Sequence, residues 1–446
     1  MIPPSLTMVL YVFPAATLLT LPVPQQKKPA VFALGGLCCV WLSGGFPALI
    51  LMMCMMISAW LFLRLQPVQS GTPAQDRNAR YRMYAGIAVQ GIWLLLGKLL
   101  LSDSVLLIPL LICAMQHTEA ICDRAHRRIP APGLFPFFCD SAEMPRLFAG
   151  PPMQTESSAA MRENRNLSAE NIGNGASLYI RGLFQVSCLS LPMRSLCRAL
   201  NELVPEKTVL DEWLVLISFY LAVYFGLKGA AQIGQGIAQM TGLIYPDSFD
   251  SPVLAGTHYG FWTRFMKPFS DWIKRCLFPE RSEKQSGYLT KLLLVFCTLG
   301  FLFGNGVCGI LWGMFCALVL TAERQLNPKW IAQIPVAARR VLVAVVTLFA
   351  LGMLCSGSPQ EMFTHYSGLF GKNGLAPGSR TVYLFKNYWF SVLLCTAALF
   401  PVRNALKKYN DQNKRRRAAA RILKVIPEFL MLALSMAELM SFYLRG

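Results

Sequence analysis

Proton transfer near neutral pH calls for an imidazole, or for a carboxylate held away from its ordinary pKa. This 446-residue chain has only four histidines, His117, His126, His258 and His365. His126 stands in a basic cluster with Arg124, Arg127 and Arg128, and His365 falls in a late loop, so both read as solvated. His258 opens an aromatic, basic stretch from Gly256 to Arg281, where it either lies at a membrane surface or reaches into a pocket. His117 has Gln116 and Glu119 beside it near the end of an apolar block. An ionisable residue inside a span is a functional candidate, but a paired role at the helix end is the preferred reading. Lys228, a lone charge in a glycine-rich block, either snorkels its ammonium to the surface or binds an anion.

Metal and redox chemistry have less to stand on. Of the 14 cysteines, Cys38, Cys39, Cys54, Cys113, Cys297, Cys308, Cys316, Cys355 and Cys395 lie inside apolar blocks, where a thiol acts as a small hydrophobe. No C-x-x-C pair occurs. Neither a metal site, a redox role nor a bound cofactor is expected.

The elements that must position these groups belong in a bilayer. Hydrophobic residues make up 54% of the chain and charged ones 15%, with a mean hydropathy of +0.43. The apolar blocks are about 20 residues long, the thickness of a bilayer core at 1.5 Å per residue. An all-α fold follows, because lipid leaves no water to satisfy an open backbone. The expectation is a polytopic membrane protein of about 10–12 transmembrane helices, with re-entrant and interfacial helices around a central cavity. A first helix, Val9 to Leu21, lacks the basic leader of a signal peptide. Further spans are expected at Ala30–Gly44, Phe46–Leu63, Tyr84–Leu101, Val105–Cys122, Leu214–Ile244, Leu289–Phe303, Gly306–Leu320, Arg340–Cys355, Phe385–Val402 and Ile422–Tyr443.

Lys and Arg outnumber Asp and Glu by 42 to 23. The excess sits where helices exit, at Lys27–Lys28, Arg77 to Arg82, Arg124 to Arg128 and the run from Lys407 to Arg421. That is the positive-inside pattern, so the expected partner is anionic membrane lipid and not nucleic acid. It places the chain in a bacterial inner (cytoplasmic) membrane, multi-pass, with the N-terminus outside. Four regions result: N-terminal transmembrane helices over 1–123, a proline-broken cytoplasmic or re-entrant middle over 124–206, a core over 207–326, and C-terminal helices over 327–446 with a basic cytoplasmic loop at 403–421.

Four landmarks recur in order along nearly the whole chain. Phe135-Pro136 and Ala149-Gly150-Pro151 close the proline-rich turn; Tyr224-Phe225, Gly229, Gly236 and Gly242 lead to Phe249-Asp250-Ser251-Pro252. Then comes Phe261-Trp262-Thr263-Arg264-Phe265-Met266 with Trp272 and Lys274-Arg275, followed by Gly300-Phe301-Leu302-Phe303-Gly304 with Trp312-Gly313. This order resembles the membrane-bound O-acyltransferases, in the bacterial branch that acylates alginate or transfers D-alanine to lipoteichoic acid. The resemblance implies a pocket including Trp262, Arg264, Lys228, Gln232 and Trp312, in the region 207–326 as an acyltransferase-like core. It also implies two histidines, and here those positions are Met266 and Phe303. Polar positions of the glycine-bearing helix fall on Gly226, Lys228, Ala230 and Gln232.

Losing one general base typically costs a factor of about 10² to 10⁴. The resemblance therefore implies a catalytically degenerate protein that acts as partner or conduit, with other membrane or periplasmic proteins, in acylating or exporting a cell-surface polysaccharide. The alternative is an active enzyme moving acetyl groups from a cytoplasmic acyl-thioester donor to an extracytoplasmic acceptor. Its relocated catalytic groups would be His258 and Asn305, the latter able to hydrogen-bond a carbonyl but not to act as a base. A membrane transporter is the other alternative, although no internal repeat is found and no intramembrane acidic residue is noted apart from Glu438 near the end of the last span.

Overall fold

A backbone that must satisfy itself in lipid can only coil, and the computed structural model is helical throughout, with no strand among the described residues. Those are 12–20, 22–66, 73–101, 107–126, 128–149, 165, 167–203, 207–278, 287–326, 333–400 and 417–445. The chain is an all-α polytopic membrane protein. Six described helices are long and apolar enough to cross a bilayer.

After a short α1 (Phe13–Thr20), α2 runs over Lys28–Leu65 but breaks at Gly45, whose φ of 65° and ψ of −161° lie outside the helical region. Only glycine adopts such a conformation cheaply, and Pro47 follows it. The two spans expected on either side of Gly45 are thus two helical arms. α3 (Pro73–Leu100) starts 11 residues earlier than the sequence pattern indicates, its polar first turns being helical as well. α4 (Leu107–Ala125) returns antiparallel; the expected turn at 102–104 lies outside the described residues.

The middle region is broken only in its first part. Gly133 and Ala142 bound a two-turn α5 (Leu134–Ser141), and α6 (Met144–Ala149) follows. Residues 169–201 instead form one helical run: α7 (Ala169–Phe184), a π turn (Gln185–Ser190) and α8 (Leu191–Asn201). Ser168 caps its start by accepting the Asn171 N–H at 3.1 Å. Its polar first turns are helical because their small residues let the run lie against α9 (Val209–Met240). A Cβ at Gly182 would stand 2.6 Å from the Gly229 carbonyl, and one at Gly236 equally close to that of Gly175. Small residues at such contacts let backbones approach in a membrane.

Beyond α9 come a 3₁₀ turn (Pro252–Leu254), two short helices α10 (His258–Phe265) and α11 (Lys267–Leu277), and the apolar pair α12 (Tyr288–Phe303) and α13 (Gly306–Gln325). At their crossing a Cβ on Gly300 would overlap the Gly309 carbonyl. The chain continues through α14 (Val336–Cys355), α15 (Pro359–Leu369), α16 (Ser379–Leu399) and α17 (Arg417–Arg445).

The bundle has two chemically different ends. At one, the close of α4 meets α11, through Trp272 Nε1 donating to Thr118 Oγ1 at 3.0 Å and an Arg275–Glu119 ion pair. Lys291 of α12 donates to the Leu277 carbonyl there, and Arg324 of α13 lies over the Tyr288 ring. At the opposite end, Lys98 of α3 reaches the Gly304 carbonyl at 3.5 Å, and Asn305 bonds the Ser356 carbonyl at 3.4 Å.

Candidate functional site

α10 is only two turns long, so its position depends on what caps it. Thr257 Oγ1 accepts the Gly260 N–H at 2.9 Å. The Glu323 carboxylate, from the last turn of α13, accepts His258 N–H at 2.8 Å and Tyr259 N–H at 2.7 Å. A negative charge at a helix N-terminus complements the helix dipole. The rest of the helix is fixed by its rings: Trp262 meets Phe296 of α12 edge-on at 5.1 Å and Trp312 of α13 at 6.0 Å, while Phe261 stacks on Phe265.

Behind these rings lies a cavity of about 40 Å³ between α9, α10, α13 and α14. Tyr220, His258, Trp262, Phe265, Trp312 and Thr347 are among its lining. Two polar atoms on this otherwise greasy wall, His258 Nε2 and Tyr220 Oη, have no hydrogen-bond partner in the protein. Burial lowers the His258 pKa from its ordinary value, opposed in part by Glu323, so the imidazole is neutral at pH 7. A neutral imidazole and a phenol facing an aromatic slot can accept a proton from, or hydrogen-bond to, a small polar group on an apolar ligand.

The other candidates are placed elsewhere. Asn305 is exposed at the N-cap of α13, and the 20 residues of that helix separate it from Glu323 and His258 by about 30 Å at 1.5 Å per residue. His258 and Asn305 are therefore not brought together. Lys228 points back along α9, with Nζ 3.3 Å from Tyr224 Oη and 5.2 Å above its ring. Gln232 accepts from Gln185 Nε2 at 3.1 Å, and the Arg264 carbonyl accepts the Asp250 N–H. None of these three lines the cavity, whereas Trp262 and Trp312 do.

Of the remaining histidines, His117 is fully buried, with Nδ1 3.1 Å from Gln90 Oε1 and Nε2 3.0 Å from Ser141 Oγ, the contacts of a satisfied structural residue. His126 is exposed, as expected, and bonds the Cys122 carbonyl. His365 differs from expectation. It belongs to α15, is 3% exposed, and sets Nδ1 2.6 Å from Glu212 Oε2. Lys207 Nζ lies 3.8 Å from the other Glu212 oxygen and donates to Asn201 Oδ1 at 3.1 Å. The sequence offered no local signal for this cluster, because its members come from three helices and the loop before α9.

No family model matches the chain. Curated proteins do. "Probable alginate O-acetylase AlgI" of Pseudomonas syringae pv. tomato is 24% identical over 198 residues, 43% of this chain and 37% of that protein. "Peptidoglycan O-acetyltransferase" of Helicobacter pylori is 24% identical over 186 residues, 40% of this chain and 35% of the other. An AlgI of Azotobacter vinelandii is 23% identical over 192 residues, 42% and 38%. Over these stretches the chain is similar to these O-acetylating proteins. The match spans less than two fifths of the length of each of these relatives.

The two positions that the resemblance sets against histidines, Met266 and Phe303, can now be located. Met266 forms the joint between α10 and α11 and packs on an apolar cluster that includes Trp272, Phe269 and Met115, with Leu299 of α12 also against it. Phe303, one turn beyond Leu299, ends α12 and is 37% exposed. Neither side chain can hold or release a proton. Among the described residues, no three His, Cys, Asp or Glu side chains converge as a metal site would require.

Proposed function

We propose that this homologue of O-acyltransferases is catalytically degenerate and serves as a membrane partner or conduit in the acylation or export of a cell-surface polysaccharide. One observation carries the reading: Met266 and Phe303, which the resemblance sets against histidines, have no titratable group, and Met266 is packed into an apolar cluster. Retained glycines at the α7–α9 and α12–α13 crossings keep the scaffold, so the fold outlives the chemistry. The chain lies in a bacterial inner membrane with its N-terminus outside, its basic end in the cytoplasm against anionic lipid, and other membrane or periplasmic acylation proteins beside it.

The test uses the intact system. Phe303→Ala and Met266→Ala, at normal protein levels, leave cell-surface acetylation within about twofold, while deletion of the chain abolishes it. A thousandfold fall on Phe303→Ala overturns the proposal.

A second reading is favoured by the unpartnered His258 Nε2 on the cavity wall. There the protein is an active O-acyltransferase, His258 taking the acceptor proton while an acyl thioester is attacked and its thiol released. Purified protein in lipid nanodiscs would then release thiol from an acetyl thioester, and His258→Ala would stop it. No turnover above background with varied acceptors ends this reading.

A further inference from the structure

Two pairs of cysteines lie at opposite ends of the bundle. Cys122 of α4 and Cys276 of α11 are buried in one apolar cluster, and Cys197 of α8 and Cys355, the last residue of α14, share a side-chain partner. Asn201 Nδ2 lies 3.9 Å from both Cys197 Sγ and Cys355 Sγ, holding the two sulfurs about one side-chain amide. All four cysteines carry free thiols in this structure.

The ends differ in charge. Around Cys122 and Cys276, and where α2 ends against α3, stand Arg64, Arg82, Arg124, Arg128, Lys274, Arg275, Lys291 and Arg324 against Glu119, Asp123, Asp271 and Glu323. At the Cys197 end, Arg198, Lys207 and Lys372 are matched by Glu202, Asp211, Glu212 and Glu361. Positive charge gathers on the cytoplasmic side of a membrane. The Cys197 end therefore faces the extracytoplasmic space, where a bacterial envelope sustains disulfides, and the Cys122 end faces the reducing cytoplasm.

Local chemistry points the same way. The Lys207 ammonium acts electrostatically on Cys197. A nearby cation favours the thiolate, the form that attacks a disulfide.

We propose that Cys197 and Cys355 are joined in the mature protein by a disulfide that ties α8 to the α14–α15 corner, while Cys122 and Cys276 remain reduced. The reaction is a thiol–disulfide exchange with a disulfide-bearing thiol oxidoreductase of the extracytoplasmic space. One cysteine, as thiolate, attacks a donor sulfur to give a mixed disulfide; the second thiolate displaces the donor. The S–S bond forms, the two thiol protons are released to the donor thiolates, and the two electrons leave on the donor as a dithiol. Closing the bond brings the two sulfurs, both now 3.9 Å from Asn201 Nδ2, to about 2.05 Å of each other. The inference rests on the membrane placement and orientation proposed above but not on the acyl chemistry, since it concerns the scaffold.

Membranes from cells expressing the full chain are quenched in acid, denatured with N-ethylmaleimide present, digested without reductant and analysed by mass spectrometry. The expected result is a Cys197–Cys355 cross-linked peptide as the major form, lost on reduction, with Cys122 and Cys276 recovered as maleimide adducts. Cys197→Ser and Cys355→Ser each remove that peptide and leave Cys122 and Cys276 labelling unchanged. Recovery of Cys197 and Cys355 chiefly as maleimide adducts overturns the proposal. A Cys122–Cys276 linkage, alone or beside the other, overturns it as well, because the assignment of the two ends then fails. The wild-type measurement decides the matter even if a serine variant does not fold.

Discussion

The Glu323 carboxylate, at the last turn of α13, holds the backbone N–H groups of His258 and Tyr259 at 2.8 and 2.7 Å. The helix that carries the cavity histidine thus hangs from a helix whose sequence lies 65 residues away.

Glu323→Ala removes two charge-assisted acceptors from the start of α10. Each such bond is worth about 1.5–3 kcal/mol, less where solvent reaches it, so the expected loss is roughly 2–4 kcal/mol. Glu323→Gln keeps one oxygen and loses less. Thermal unfolding in detergent checks both, and Trp262 fluorescence reports whether α10 has left its rings. Equal melting temperatures for Glu323→Ala and wild type would show that Thr257 alone anchors the helix.

The backbone contacts of α7 with α9 allow a sharper contrast. Leucine at Gly236 must displace the α7 backbone, because even a Cβ there would stand 2.6 Å from the Gly175 carbonyl. Overpacking of this kind costs about 1–3 kcal/mol when side chains can yield, and backbone yields less. Gly236→Leu is expected to abolish monodisperse protein on size exclusion. Gly91→Ala in α3, whose Cβ meets nothing within 4 Å, is expected to be neutral or to gain a few tenths of a kcal/mol.

Where such contacts could be read in advance depended on how local the signal was. The break at Gly45, the extent of α12 and α14, and the glycines of α9 are encoded within a helix turn or two, in apolar length and small-residue spacing. Residues 169–201 were harder, since their polar opening turns are helical only because α9 lies alongside. His365 could not be read at all. Its partner Glu212 is 153 residues distant, and a histidine amid Ser, Gly and Asn looks like a loop. The candidate site divides in the same way: Trp262, Trp312 and His258 meet at the cavity because ring size and capping bring α10 to α13. Asn305 is carried to the other end by the rise of a helix that the sequence did predict.

The Glu212–His365–Lys207 cluster is expected to be structural and costly to cut. Glu212 is 2% exposed and Lys207 3%. Glu212→Ala leaves a buried ammonium without its carboxylate, a change that typically costs about 3–5 kcal/mol. The exposed pair Arg198–Glu202, 3.4 Å apart, is the control; Glu202→Ala is expected to cost no more than about 1 kcal/mol. Urea titration of both variants in the same micelle compares them directly, and equal midpoints would mean that the buried cluster is no stronger than a surface pair.

His258 offers a prediction in pH. Burial holds its folded-state pKa below the ordinary 6.5, with Glu323 only partly offsetting the effect. Above pH 6.5 the ring is neutral in both folded and unfolded chains and stability does not depend on it. As pH falls through 6.5, the unfolded chain takes up a proton that the folded one resists, so the folded state loses ground until the folded pKa is passed. His258→Gln removes this dependence: the melting temperature of the variant, relative to wild type, is expected to rise as pH drops from 7 to 5 and to stay constant from 7 to 8. A difference that is flat throughout would mean that the imidazole titrates as freely in the cavity wall as in water, and the reading of His258 as a neutral base on an apolar slot would go with it.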